Sequence, residues 1–391
     1  MLQRHPASKC KIEYITTIVQ PAETLRVASV QRARPEYFPA LTGLRFFLAL
    51  WVILHHLVSK GMLLDLWNQS LPYALSTFIE QGHVAVRTFF VLSGFVMTQG
   101  YASSRWRRED LVSYGAARFS RIYPVYFLSL LIVAYFILEF LMSPVTSPGG
   151  KFAAVAAYGL VLQGWMRNPG AGWNTPAWSL SCEFFFYLFL PPILIWLGQR
   201  SRMKLMALLG TALVLPVLLH RAGVPLTWKP ILHLGDFLVG IAAARIFVMV
   251  RSTRIGVFRR GYWLYVPAIA LGTAAIVFPG VLSGVADLGT VLRPLNGMLV
   301  LGLALGGGVF ARFLSTGSAQ YLGQVSYSMY ILHVPLLWWF GNRGPVLSGN
   351  LQAAMAPIYI VGIVLISAAA FEWVEKPANR WLRSWARRRL V

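Results

Sequence analysis

Apolar runs of about twenty residues recur along the whole chain, and short polar, proline-containing or basic segments separate them. A helix crosses the hydrocarbon core of a bilayer in about twenty residues. Transmembrane strands would need shorter segments in which apolar and polar residues alternate. The pattern therefore predicts an all-α polytopic membrane helical bundle of about ten transmembrane helices. The predicted spans are residues 40–58, 83–101, 122–142, 183–198, 203–220, 231–250, 261–281, 288–312, 321–342 and 355–374.

The apolar run from Phe152 to Trp165 is shorter than the others. Runs of 10 to 14 residues are more often re-entrant or interfacial than spanning. A full crossing here would also turn the basic segments near 199–204 and 251–260 outward, whereas Lys and Arg favour cytoplasmic loops. We therefore expect this run to be re-entrant or to lie at the outer face, with both chain termini cytoplasmic.

Composition excludes a soluble globular protein, because 57% of the residues are hydrophobic and only 12% are charged, against about 25% in soluble domains. The basic residues behind the formal charge of +22 lie in the short segments between apolar runs. The preference of Lys and Arg for cytoplasmic loops explains this distribution better than nucleic-acid binding does. Cys10 and Cys182 have neither a disulfide pattern nor metal-ligand spacing. The sequence thus predicts no nucleic-acid partner and no metal. Residues 1–36 are expected to be a disordered cytoplasmic tail, and residues 381–391 a basic cytoplasmic tail.

Two polar groups at the ends of the first apolar run are the strongest chemical signal. Arg45 and His56 are eleven residues apart, about three helical turns or roughly 16 Å, so they share one face of the helix. His55 points about 80° away. An imidazole in the membrane is either hydrogen-bonded between helices or acts as a general base. The face shared with Arg45 favours His56 as the base.

Arg118 and Arg121 lie where the third predicted span begins, three residues apart and therefore on one side of a helical turn. The guanidinium fork suits phosphate. The preference of basic residues for cytoplasmic loops would also explain these two arginines, as it explains Arg105. The three-residue spacing of Arg118 and Arg121 favours a site that binds an anion.

A carboxylate, Glu183, opens the span after the outer loop. It either stabilises the positive helix N-terminus or orients the histidine, and these alternatives remain open. His233 and Asp236, three residues apart, are expected to form a structural pair. Glu372 and Glu375 near Lys376 are expected to form an interfacial ion pair.

Six motifs in this order resemble the acyltransferase-3 family of bacterial membrane O-acyltransferases, over residues 37–380. They are Pro39–Arg45 with His56, Gly82–Phe95, Arg118–Pro124, Trp178–Glu183 with Phe186, Tyr187 and Pro191, Leu322–Ser328 with His333, and Glu375–Pro377. Three positions depart from the family pattern, namely Thr42, Arg87 and His233.

The resemblance implies transfer of an acyl group, usually acetyl, from cytoplasmic acyl-CoA to a hydroxyl of a cell-surface or lipid-linked glycan, in the bacterial inner membrane. It implies catalytic roles for His56 and Glu183. Arg45, Arg118 and Arg121 would bind coenzyme A, while Trp178, Tyr187, Ser326 and His333 would bind substrate. Residues 37–380 are then one acyltransferase domain, with membrane lipids and the glycan as partners.

Three rival functions remain open at this stage. A transporter or flippase of glycan precursors also buries Arg, His and Glu in a helical bundle, although the chain has no internal repeat. A macrolide-type small molecule is an alternative acceptor. A membrane anchor for a glycan-synthesis complex would not need Arg45 and His56 on one face.

Overall fold

The structure is a computed structural model that describes residues 36–59, 71–166, 172–198, 201–252, 260–282, 287–343 and 349–388. The predicted N-terminal tail lies outside the described residues except for Glu36, whose carboxylate pairs with Arg251. Of the predicted C-terminal tail, residues 381–388 are described, and they are helical.

All regular structure in the described ranges is helical, as predicted. The helices are α1 (Pro39–Ser59), α2 (Tyr73–Glu80), α3 (Ala85–Tyr101), α4 (Arg108–Ile132), α5 (Ala134–Met142), α6 (Pro148–Gly159), α7 (Trp178–Leu197), α8 (Arg202–Arg221), α9 (Lys229–Leu232), α10 (Leu234–Ser252), α11 (Tyr262–Val277), α12 (Leu288–Leu305), α13 (Gly308–Leu314), α14 (Gly317–Arg343), α15 (Gly349–Ala370) and α16 (Lys376–Arg388). A π-helical turn, Phe371–Glu375, joins α15 to α16.

Six helical segments of the described residues are long and apolar enough to cross a membrane. They are Pro39–Val58, Thr175–Leu197, Arg202–Arg221, Lys229–Ser252, Leu288–Leu305 and Met355–Ala386. The pair α4 and α5, bent by 59°, makes a possible seventh. The protein is therefore a multi-pass helical membrane protein. The count of ten spans and the cytoplasmic termini stay predictions.

The segment between the predicted spans 83–101 and 122–142 is mostly helical. Helix α4 begins at Arg108 and runs for 25 residues, through this segment and into the predicted span 122–142. The Arg107 amide donates to the Asp110 carboxylate at 3.3 Å, and Glu109 and Asp110 place negative charge at the positive helix end. The chain then bends after Ile132. The two arginines of the predicted anion site consequently lie inside a regular helix.

The predicted span 288–312 is also interrupted. Gly306, Gly307 and Gly308 have φ angles of +80°, +89° and +80°, a region that side chains rarely adopt. Helix α12 therefore ends at Leu305, and the short helix α13 follows as a separate element.

Helices α1 and α14 pack side by side, and this packing decides which of their residues lie opposite each other. Gly323 lies against Thr42, and a Cβ at Gly323 would strike the Thr42 carbonyl oxygen. Further along both helices His333 contacts His56. The two helices therefore run parallel, and the face of α1 that carries Arg45 and His56 is turned toward α14.

Candidate active site

Two imidazoles meet between α1 and α14. Nε2 of His333 lies 3.3 Å from Nδ1 of His56, and the ring centroids are 5.1 Å apart. His333 is fully buried, and the Tyr359 hydroxyl donates to its carbonyl oxygen at 2.6 Å. The resemblance suggested a substrate-binding role for His333, but the structure brings its ring directly to the predicted base.

Backbone carbonyls select the tautomer of both rings. Nδ1 of His56 is 2.9 Å from the Val52 carbonyl oxygen, and Nδ1 of His333 is 3.3 Å from the Met329 carbonyl oxygen. A carbonyl oxygen only accepts, so each Nδ1 carries the proton in the neutral state. His333 then presents the Nε2 lone pair to His56, whose single Nδ1–H is shared between this nitrogen and the Val52 carbonyl oxygen. In turn, Nε2 of His56 is the nitrogen with the lone pair that a base or nucleophile requires.

A cavity lies between α1, α3, α7 and α14. Three predicted site residues line it, namely Arg45, Glu183 and Ser326. The Ser326 hydroxyl donates to the Gly323 carbonyl at 2.8 Å. The other lining residues are Val86, Phe89, Phe90, Ser179, Leu180, Tyr327 and Tyr330. The mainly apolar wall with a few convergent polar groups is typical of a small-molecule site.

Glu183 shares this cavity with Arg45. Helix α7 begins inside the protein, since every residue from Ser179 to Cys182 is at most 5% exposed. The Tyr187 hydroxyl donates to Glu183 Oε2 at 2.6 Å. Glu183 and Tyr187 both act electrostatically on Arg45. Glu183 therefore balances Arg45 across the cavity.

The side chains of Arg118 and Arg121 contact different residues. The Arg118 guanidinium lies 5.9 Å from the ring centroids of both Tyr101 and Tyr187, and its Nη1 is 3.0 Å from the Met97 sulfur. Arg121 pairs with Glu375 and lies 5.4 Å from the Tyr327 ring centroid. Ser328 also donates to Glu375, at 2.9 Å.

Glu375 is 1% exposed, so the expectation of an interfacial pair with Lys376 is wrong for this residue. The π-helical turn widens the helix and turns Glu375 into the bundle. Glu372, in contrast, pairs with Lys376 at 2.6 Å, and both side chains are partly exposed, as predicted.

The arginine cluster has the chemistry of an anion site. Arg45 and Arg118 both act electrostatically on Arg121, while the carboxylates beside them are Glu183 and Glu375. In the part of the chain that the structure describes, the buried Nε atoms of Arg45 and Arg118 have no hydrogen-bond partner. Buried donors of this kind are normally satisfied. The residues thus fit an anionic ligand.

A second buried charge cluster lies between α3, α10 and α12, and none of its members lines this cavity. Asp236 is fully buried and accepts from His233 at 3.2 Å, Arg87 at 3.3 Å and Arg293 at 3.1 Å. The predicted pair of His233 with Asp236 is therefore confirmed. Sequence reasoning missed Arg293, although an arginine within a predicted span is itself a signal.

Trp178 stands beside this second cluster. Its ring centroid is 5.2 Å from that of His233, and the Lys229 ammonium lies 4.5 Å above the ring. Trp178 is not among the residues that line the cavity. Its substrate-binding role stays a prediction.

Comparison with known proteins identifies related sequences. The acyltransferase domain model Acyl_transf_3 matches residues 38–372. The acyltransferase MdmB of Streptomyces mycarofaciens is 29% identical over 384 residues, covering 88% of this chain and 92% of MdmB. The O-acetyltransferase OatA of Staphylococcus aureus is 22% identical over 392 residues, covering 88% of this chain but 58% of OatA. No solved structure matches the chain.

The family model thus spans most of the chain and includes His56, His333 and every residue that lines the cavity. Both relatives carry the name of an acyl-transferring enzyme. The chain therefore belongs to the acyltransferase-3 family and is a membrane O-acyltransferase.

Proposed function

We propose that the protein transfers an acetyl group from acyl-coenzyme A to a hydroxyl of a cell-surface or lipid-linked glycan. The observation that carries this proposal is the His56 and His333 pair together with the cavity that Arg45 and Glu183 line. The two features are linked by Tyr330, which lines the cavity and whose ring centroid is 6.1 Å from that of His333. The name of OatA, an O-acetyltransferase, supports acetyl as the acyl group and a hydroxyl as the acceptor. We further propose a bundle of about ten spans in the bacterial inner membrane with both termini cytoplasmic.

His56 is the general base of the proposed reaction. Its Nε2 takes the proton from the acceptor hydroxyl while the acceptor oxygen bonds to the acyl carbon. The carbon–sulfur bond then breaks, and coenzyme A leaves as the thiolate with the electron pair. His333 accepts from Nδ1–H of His56, which holds the ring in the tautomer that leaves Nε2 basic and stabilises the imidazolium that forms.

The arginines hold the donor in this mechanism. Arg45 and Arg118 offer buried N–H groups to anionic oxygens of coenzyme A. Glu183, tied by Tyr187, limits the excess positive charge around Arg45. Arg121 contributes to the local positive field while paired with Glu375.

The deciding experiment is label transfer in membranes that contain the protein. Radiolabelled acetyl-CoA is added, and label is measured in the glycan fraction. His56→Ala is expected to abolish transfer while protein abundance persists. His220→Ala, which removes an exposed histidine at the end of α8, is the matched control and is expected to keep transfer. Label transfer by the His56→Ala protein would overturn the assignment of the base.

The acceptor is identified by a separate measurement. Sugar analysis of a strain that lacks the protein is expected to show a glycan without its O-acetyl groups. An unchanged glycan in that strain would remove the glycan as acceptor. A transporter or flippase would move precursor across the membrane but would not place label from acetyl-CoA on it.

A further inference from the structure

Four of the seven histidines form a continuous array that the mechanism above does not fully use. His56 contacts the buried His333 on one side. On the other side its ring centroid is 5.1 Å from that of His55, and the His55 centroid is 5.3 Å from that of His83. His55 is partly buried and His83 is exposed. The array therefore leads from the protein interior to its surface.

The array is held in place by packing between α1 and α2. The rings of Trp51 and Phe78 stack with centroids 4.3 Å apart, and the Trp51 indole donates to the Phe78 carbonyl at 2.7 Å. This contact brings the end of α2 to His55, whose Nδ1 is 2.5 Å from the Glu80 carbonyl oxygen. The packing of α1 against α2 thus holds His55 next to its acceptor, the Glu80 carbonyl oxygen.

The bond to Glu80 also sets the chemistry of His55. A carbonyl oxygen only accepts, so Nδ1 of His55 is protonated and its Nε2 carries the lone pair in the neutral ring. His55 can accept a proton at Nε2 and release one again. Ring centroids about 5 Å apart leave room for one bridging water between the ring nitrogens, through which a proton can pass.

Charged groups around the array come from several elements. Glu80 of α2 acts electrostatically on His55, whereas Arg87 of α3 acts on His83. His333 of α14 meets His56. The array is therefore flanked by a carboxylate at His55 and by a guanidinium at His83.

We propose that His55 and His83 form a relay that carries the proton of the acceptor hydroxyl from His56 to the surface. This inference rests on the proposed role of His56. In each turnover His56 gains one proton from the acceptor and passes it through His55 and His83 to water. The leaving thiolate of coenzyme A takes one proton from water, since a thiol of this kind has a pKa near 8.5. The overall reaction therefore neither gains nor loses a proton.

The experiment tests the relay with conservative variants and a small proton carrier. His55→Asn keeps an N–H donor for the Glu80 carbonyl but cannot exchange a proton, and His83→Asn removes the exposed end of the array. The kcat of the full-length protein for acetyl transfer, assayed in detergent or vesicles, is measured at low buffer concentration with and without added imidazole. His220→Asn is the matched control for an exposed histidine.

The relay predicts that kcat falls by about tenfold in both variants at low buffer. Imidazole should restore it by carrying the proton, while KM for acetyl-CoA stays the same and His220→Asn has no effect. Unchanged kcat in both variants would overturn the proposal. A loss that imidazole does not restore would also overturn it, because that result indicates only a structural role.

Failure of the relay and failure of the proposed function give different results. If His56→Ala retains activity, the proposed base is wrong. If His56→Ala is inactive but the His55 and His83 variants keep the kcat of the unmodified protein, the base stands and the relay is wrong.

Discussion

The imidazole of His333 is the hydrogen-bond partner of His56, with Nε2 of the first ring 3.3 Å from Nδ1 of the second. The residues are 277 positions apart in the chain, and the parallel packing of α1 and α14 brings them together. Since His333 is bonded to the Met329 carbonyl through its own Nδ1, it presents an acceptor that fixes His56. This makes His333 a positioning residue in the proposed mechanism.

Replacing His333 should therefore affect kcat and not substrate affinity. We expect His333→Ala to lower kcat by about 10- to 100-fold, as loss of a partner does for other functional histidines. KM for acetyl-CoA should stay within about twofold. Steady-state kinetics over a range of donor and acceptor concentrations measures this split.

The control for this prediction is Tyr359→Phe, which removes the hydroxyl that bonds to the His333 backbone but leaves the imidazole. It should retain most of the activity. A rise in KM for the acceptor with unchanged kcat in His333→Ala would instead support the substrate-binding role suggested by the resemblance.

Arg118 should matter for donor affinity. Arg118→Ala removes a buried donor nitrogen and one of three neighbouring positive charges, so we expect the Kd for acetyl-CoA to rise by about tenfold or more. Equilibrium binding of labelled acetyl-CoA to purified protein measures it. Arg105→Ala, an exposed basic residue close by in the chain, is the control. If both substitutions raised the Kd for acetyl-CoA equally, Arg118 would not be a specific donor-binding residue, and its charge would be explained by membrane topology alone.

The sequence pattern predicted the features that depend on the spacing of residues along one helix. Helical phase put Arg45 and His56 on one face of the first span, and both indeed face α14. Pairing across the bundle could not be predicted, because nothing in the local pattern links Arg121 to Glu375 across 254 positions. The placement of Glu183 in the same cavity as Arg45 could not be predicted for the same reason, because the two residues lie on different helices and far apart in the chain.

Asp236 is expected to serve stability rather than chemistry. Asp236→Ala would leave Arg293, which is 2% exposed, without its carboxylate partner, at a cost of about 3–5 kcal/mol. Thermal unfolding in detergent should show a clearly lower Tm. The double variant with Arg293→Met should recover part of the loss. Full stability of Asp236→Ala would mean that water or another group already satisfies the arginine.

The two glutamates of the π-helical turn offer the sharpest contrast in stability. Glu375 is buried against Arg121 and Ser328, whereas Glu372 pairs with Lys376 where both are more than a third exposed. A buried charge that loses its partner is costly, about 3–5 kcal/mol, but an exposed pair contributes about 0–1 kcal/mol. Glu375→Ala should therefore lower Tm strongly, and Glu372→Ala should change it little.

A double-mutant cycle separates this pairing from a general effect of the turn. If Arg121 and Glu375 stabilise each other, the double variant Arg121→Met with Glu375→Ala should be less destabilised than the sum of the single variants, with a coupling free energy of about 0.5–3 kcal/mol. Additive effects would show that the two side chains do not interact. Since Arg121 also belongs to the proposed donor site, acetyl-CoA binding should be weakened in Arg121→Met and in the double variant alike. Recovered stability without recovered binding would then separate the structural role of Glu375 from the donor-binding role of Arg121.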